Sequence, residues 1–319
     1  MANELKWGVL GQAKIAEEHV IPAIYEAKGS TLYAVASRRP FVDPLYDGVK
    51  VYNAYEDLLD DQEVDAVYIP LPNGLHCEWA LAAMKKGKHV LCEKPIAMTA
   101  EECRRMIATA DVCNVVLMEA FMYRFNKKTE LLLELLDSDV IGKIKSIRVN
   151  FGYLKTRANA ARDLPELGGG SLYDVGCYCI DIMNFLMRRQ GNTFESCSST
   201  FRMAGRPVDQ AASAWVRYSG DVLCTMDCWF DVASHQSLII MGEKGMLRLD
   251  EAFRDTPDDI ELYTPTARRS IAVERSSAYV REIEVFTEAA LTGNRSNLMP
   301  LPDSYANMCV MDEMLANRP

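Results

Sequence analysis

A carboxylate, an amine and a proline follow one another at Glu93-Lys94-Pro95, directly after the apolar run His89-Val90-Leu91-Cys92. That run reads as a short buried strand, so the charged pair stands where the strand leaves its sheet. Ligands of open parallel sheets bind outside the carboxyl ends of the strands, which makes this a place for chemistry. Pro95 removes a donor and pushes Lys94 out of helical conformation. The plain alternative is a strand end with Glu93 and Lys94 both solvated. A second set stands at Asp174-x-Gly176-x-Tyr178-x-x-Asp181, behind Gly168-Gly169-Gly170. Spacings of three and four put 174, 178 and 181 on one face of a helix that begins near Asp174. Alone, the set reads as an N-cap aspartate and a packed aromatic. Paired with Lys94 it reads as an acid/base site, because a phenol of ordinary pKa near ~10 becomes a proton exchanger when an ammonium stabilises its phenolate.

The elements that would carry these residues alternate. Strand candidates lie at 6–10, 31–36, 50–52, 65–69, 89–92 and 115–118. Between them, Val20, Ile21 and Ile24 mark a helical face interrupted by Pro22, and a helix covers about 76–86. Thr99 with Glu102 makes a capping box that opens another, to about Val112. Alternation of this kind predicts a parallel, doubly wound sheet. Beyond Glu119 the rhythm changes. A helix at about 126–136 precedes strand candidates at 145–153, 196–203, 212–218, 222–229, 237–241, 246–249 and 260–263, most alternating apolar and polar residues, as an antiparallel sheet with one covered face requires. Helices near 178–186, 278–291 and 304–315 complete the pattern. The expected fold is α/β: an N-terminal Rossmann domain over 1–121, then an α+β domain over 122–319 with a large, mostly antiparallel open sheet.

The first strand runs into Gly11-Gln12-Ala13-Lys14-Ile15-Ala16 and then a helix. Strand, tight glycine turn and helix N-terminus together make an anion site suited to a dinucleotide pyrophosphate. Of the Gly-x-Gly-x-x-Gly fingerprint only Gly11 is kept; Ala13 narrows the approach to phosphate and Ala16 is a tolerated third position. An NAD site places Asp or Glu at the end of the second strand, for the ribose 2′-hydroxyl. Here stand Ser37, Arg38 and Arg39, and guanidinium groups suit a 2′-phosphate, so NADP(H) is expected ahead of NAD(H). The bland reading is a solvated basic turn. Given a nicotinamide nucleotide, the Lys94–Tyr178 pair fits hydride transfer to or from a carbinol carbon, whose hydroxyl proton must be exchanged.

Composition narrows the rest. At 319 residues the chain has room for two cores, and a formal net charge of −10 argues against a nucleic-acid or anionic-membrane surface. No apolar run reaches the ~18 residues that cross a bilayer, and the first residues show no secretory pattern. The ten cysteines form no Cys-x-x-Cys pair and have no partnered His spacing, which points to free thiols in a reducing cytoplasm and no metal.

Over nearly its whole length the chain resembles the glucose–fructose oxidoreductase/inositol dehydrogenase/MocA family. The resemblance rests on the glycine turn, on Glu93-Lys94-Pro95, on Glu119-Ala120-Phe121-Met122-Tyr123-Arg124-Phe125, and on the Gly168-Gly169-Gly170 to Asp181 segment. It implies that Lys94 contacts the reacting oxygen and that Asp174 places the substrate. Many relatives carry His where Tyr178 stands; the tyrosine form is similar to the branch of glucose–fructose oxidoreductase, dimeric dihydrodiol dehydrogenase and NADP-dependent xylose dehydrogenase. A sugar, cyclitol or trans-diol is then the implied substrate. Pro70, Leu71 and Pro72 would run along the cofactor, Asn73 near its ribose or nicotinamide and Glu93 near the nicotinamide. His76 belongs with them or is a packed helical residue. Arg162 matches a position near nicotinamide or substrate, but the tryptophan of many relatives is missing from 158–163, so no substrate identity carries over. The open sheet of relatives commonly forms a subunit interface, implying a homodimer; Phe151, Tyr153, Trp229 and Phe230 would line a pocket or cover that sheet. Two rivals remain: an NAD-linked inositol-type dehydrogenase, expected to show an acid near Ser37 and His at 178, and a non-catalytic dinucleotide sensor, expected to lack Lys94 or its partner.

Overall fold

The first sheet is built around strands too apolar to face water. In the computed structural model, which describes residues 4–38 and 46–318, β1 (Leu5–Leu10) is followed by α1 (Ile21–Glu26), β2 (Ser30–Ala36), β3 (Lys50–Tyr52) and α2 (Tyr55–Asp60). Then come β4 (Ala66–Ile69), α3 (His76–Lys85), β5 (His89–Glu93), α4 (Ala100–Cys113) and β6 (Leu117–Ala120). All pair parallel in the order β3-β2-β1-β4-β5-β6, the doubly wound order whose progression across the sheet reverses between β1 and β4. Every residue of β4 is buried, as in a sheet covered on both faces. The N-cap is present, with its reciprocal bond shifted by one residue: Thr99 Oγ1 accepts from Glu102 N–H at 3.2 Å, and Glu102 Oε2 accepts from Met98 N–H at 2.9 Å.

The second sheet follows α5 (Lys127–Asp137). It comprises β7 (Ile144–Gly152), then, beyond α6 (Ala160–Asp163) and α7 (Cys177–Arg189), β8 (Phe194–Arg202), β9 (Ala211–Tyr218), β10 (Val222–Trp229), β11 (His235–Gly242), β12 (Met246–Asp250), β13 (Ile260–Thr264) and β14 (Ala267–Ile271). Its order is β14-β13-β12-β11-β7-β10-β9-β8, antiparallel except for β7 with β10. Burial alternates along β9 and β10, so one face is core. On the other face Trp215 is 59% and Leu223 42% exposed.

The chain divides into two units, but not by a single cut after residue 121. The first unit runs to Met122 and also takes in Ser277–Pro302; the second holds Tyr123–Ser276 and Asp303–Pro319. The returning segment contains α8 (Ala278–Thr292), which closes the first core: Phe286 meets the buried Trp7 at 5.0 Å between ring centroids, and Thr287 Oγ1 lies 2.7 Å from Ser30 Oγ. The last helix, α9 (Leu301–Leu315), contributes to the second unit from Asp303 onward. Among the described residues no helix is long and apolar enough to cross a membrane.

Candidate active-site residues

In the first unit, β1 ends in a turn that only glycine can make. Gly11 has φ +101°, and a Cβ there would come within 2.9 Å of Leu71 Cδ2. Its N–H donates to Ala36 O at 2.8 Å, which ties the ends of β1 and β2 together. Gln12, Ala13 and Ile15 are half-buried, Lys14 is exposed, and helix begins at Lys14. Ser37 is 4% exposed and donates to Gln12 Oε1 at 3.4 Å, whereas Arg38 reaches solvent. Arg39 lies outside the described residues.

Pro70, buried, and Leu71, half-buried, leave β4 for a short turn, Asn73–Leu75, that leads into α3. His76 is 0% exposed and carries a correction. Its Nδ1 lies 2.8 Å from Pro95 O and its Nε2 2.8 Å from Leu71 O, so both ring nitrogens face backbone carbonyls rather than a ligand. Burial first, and then the charge of Lys94, hold its pKa below the usual imidazole value, against the pull of those carbonyls. His76 therefore braces two loops from behind. Pro95 follows a cis peptide bond, and Glu93 and Lys94 are half-buried.

Glu93 accepts from the hydroxyl of the fully buried Tyr68 at 2.6 Å. Burial, then the Glu93 charge, pushes the Tyr68 phenol well above its usual range, so Tyr68 remains a donor. Glu119, 1% exposed, accepts Ile96 N–H at 2.9 Å beside the same turn. The sequence reading missed Glu282 on α8. It is 1% exposed, and burial followed by the Glu93 charge pushes its carboxyl well above the carboxylate range.

In the second unit, Gly170 enables the approach to α7. Its φ is +114°, and a Cβ would lie 2.3 Å from Asp209 Oδ1. Buried Asp209 in turn accepts from Ser171 Oγ and Leu172 N–H, each at 2.8 Å. A wide π-type turn over Leu172–Gly176 then opens into α7. Asp174 and Tyr178 are half-buried among buried neighbours. Asp174 Oδ2 accepts from Tyr153 OH at 2.7 Å and from Arg162 Nε at 2.8 Å. The Asp174 charge raises the pKa of Arg162 further. Arg162 thus orients Asp174.

The Tyr178 ring lies 5.3 Å from Phe151, 5.3 Å from Phe253 and 6.1 Å from Tyr123, centroid to centroid. Asp181 does not share this setting. It is 0% exposed and accepts from Arg124 Nε at 2.8 Å, Arg124 Nη2 at 2.6 Å, Asn307 Nδ2 at 2.6 Å and the Tyr123 hydroxyl. The expected common face of 174, 178 and 181 therefore splits into two half-buried residues and one core residue. The arrangement in this unit can orient a polyol through a fixed carboxylate and exchange a proton through a phenol.

Two family profiles match the chain: an oxidoreductase family with an NAD-binding Rossmann fold over residues 5–121, and a GFO/IDH/MocA C-terminal domain over residues 129–248. A D-xylose 1-dehydrogenase (NADP(+)) of Haloferax volcanii is 35% identical over 297 residues, covering 91% of this chain and 90% of that protein. A trans-1,2-dihydrobenzene-1,2-diol dehydrogenase of Xenopus laevis is 30% identical, covering 97% of each. Among solved structures, a 3-ketoreductase from Actinomadura kijaniata in complex with NADP and TDP-benzene is similar with a TM-score of 0.89, at 26% identity over 98% of each chain.

Proposed function

Since the chain belongs to the GFO/IDH/MocA family of oxidoreductases, we propose that it moves a hydride between NADP(H) and a secondary alcohol or ketone of a sugar, cyclitol or trans-diol. The observation that carries this reading is half-buried Tyr178 four residues after Asp174, whose carboxylate is oriented by Arg162 and Tyr153. The first unit fits a dinucleotide: Gly11 makes a left-handed turn between β1 and a helix N-terminus, and exposed Arg38 stands just past the end of β2. NADP in the names of a relative and of a solved neighbour supports the same choice.

When bound, the nicotinamide supplies the hydride donor or acceptor. In the oxidising direction Tyr178 would take the proton of the reacting hydroxyl on its phenolate oxygen, and in the reducing direction return it. Lys94 polarises the substrate oxygen and stabilises the phenolate electrostatically. Asp174 accepts from a substrate hydroxyl and fixes which carbinol reacts. Glu93, held by Tyr68, orients the cofactor side of the site.

Fluorescence titration of the purified protein with NADPH and NADH, followed by NADP⁺ reduction assays with aldoses, cyclitols and trans-diols, tests the proposal. Tight NADPH binding with turnover of one of these classes is expected. A clear NADH preference would overturn the cofactor assignment, and binding without turnover of any class would favour a sensor.

A further inference from the structure

The connection between β12 and β13, residues 251–259, is long for a hairpin loop, and most of its residues are polar. One buried amine gathers it. Lys128, in the first turn of α5, is 2% exposed, and its Nζ donates to Glu251 O at 2.9 Å, Thr256 Oγ1 at 3.4 Å and Asp258 Oδ2 at 3.3 Å. A lysine is rarely buried unless its head is satisfied, and here these three acceptors all belong to this loop. Asn126 caps the helix that carries the amine, accepting Thr129 N–H at 2.7 Å, so the anchor itself is fixed.

Between the two anchored ends the chain turns inward. Phe253 is 3% exposed, and its N–H donates to Oε1 of Gln236, a side chain that is 0% exposed. The ring stacks on Phe151 at 5.5 Å and 14°, meets Tyr123 edge-on at 5.2 Å, and lies 5.3 Å from Tyr178. With Phe253 on one side and Phe151 and Tyr123 on others, the Tyr178 ring has few orientations open to it.

We propose that residues 251–258 form a strap that positions Tyr178 through Phe253, and that Lys128 is the buckle of this strap. The inference rests on the acid/base reading of Tyr178. Neither Lys128 nor Phe253 touches substrate in this account; both are positioning residues.

The test uses the full-length enzyme and the substrate found by the screen above. Phe253→Ala, Lys128→Met and their double variant are compared by kcat, KM and NADPH affinity. Asp258→Asn, a change at a more exposed acceptor, covers the case in which Lys128→Met does not fold. Each of the first two should lower kcat about 10- to 100-fold, since small misplacement of a reacting group is costly. Asp258→Asn should lower it several-fold, while NADPH affinity stays at the wild-type value. The double variant should be no worse than Phe253→Ala, because the lysine acts through that ring. Phe253→Ala should add nothing in a Tyr178→Phe background. Wild-type kcat in both Lys128→Met and Asp258→Asn, or losses that multiply in the double variant, would overturn the strap. Full activity of Tyr178→Phe alone would instead overturn the acid/base reading, so the two failures are separable.

Discussion

Tyr68 and Glu93 lie on the neighbouring parallel strands β4 and β5, and the Tyr68 hydroxyl donates to Glu93 Oε1 over 2.6 Å. The bond fixes the carboxylate next to Lys94 with a donor that stays protonated. It also places a negative charge within electrostatic reach of buried Glu282. Burial first, and then that charge, push the Glu282 carboxyl well above the ordinary carboxylate range.

A prediction about pH follows from Glu282. Its folded-state pKa is raised above the ordinary 4.5, by burial and then by Glu93. A raised folded-state value contributes stability that is fully present below the unfolded pKa and is lost as pH rises through the folded one. Glu282→Gln keeps the shape and removes the titration. The variant should gain on wild type as pH climbs above the ordinary carboxyl value, by up to ~1.4 kcal/mol per pH unit between the two pKa values. Urea unfolding at a series of pH values measures this. A stability difference that does not change with pH would show that Glu282 ionises normally in the fold.

The acid/base assignment predicts a separation of chemistry from binding. Tyr178→Phe and Lys94→Ala should each lose about 10²–10⁴ in kcat, the usual worth of a positioned proton donor or acceptor. NADPH titration should still saturate in both variants. Near wild-type kcat in Tyr178→Phe would take the phenol out of the mechanism.

Cofactor choice can be tested at Arg38, which is exposed one residue after buried Ser37. A hydrogen bond to a charged group is worth ~1.5–3 kcal/mol, so Arg38→Ala should weaken NADPH binding about 10- to 100-fold. NADH affinity should hardly move, because NADH lacks the 2′-phosphate. Equal losses for both nucleotides would assign Arg38 a structural task.

Much of the fold was legible because its signals are local. The central strand β4 is apolar on both faces, and the β9 and β10 alternation marks one covered face. The edge strand β14, Ala-Arg-Arg-Ser-Ile with three exposed residues at its centre, carries no such pattern and was not foreseen. Nor was the return of α8 to the first unit, since an amphipathic face does not say which sheet it will cover. Of the residues proposed to act, Lys94, Asp174 and Tyr178 could be selected by type and spacing. The pairing of Arg162 with Asp174 could not, because it spans the Gly168-Gly169-Gly170 bend, where close backbone packing decides which side chains meet. Gly169 shows this: a Cβ there would lie 2.8 Å from the Arg162 carbonyl oxygen. Asp181 was misread because the wide turn over Leu172–Gly176 shifts the helical phase, and because its partner Arg124 comes from elsewhere in the chain.

Asp181 and Asp174 should therefore separate cleanly under mutation. Asp181 is enclosed by Arg124, Asn307 and Tyr123, and Arg124 Nη1 also reaches Asp303 Oδ2 at 2.7 Å. Asp181→Asn leaves the guanidinium short of a buried counter-charge, and breaking such a pair typically costs about 3–5 kcal/mol. The thermal midpoint should fall markedly, while kcat per folded enzyme stays within about threefold of wild type. Asp174→Asn should do the reverse. It is half-buried and proposed to accept from the substrate, so KM should rise about tenfold or more, with a smaller change in unfolding than Asp181→Asn produces. Differential scanning fluorimetry beside steady-state kinetics reads both variants. An Asp181→Asn protein of normal stability but lost turnover would move Asp181 from the core into the site and restore the common face of 174, 178 and 181.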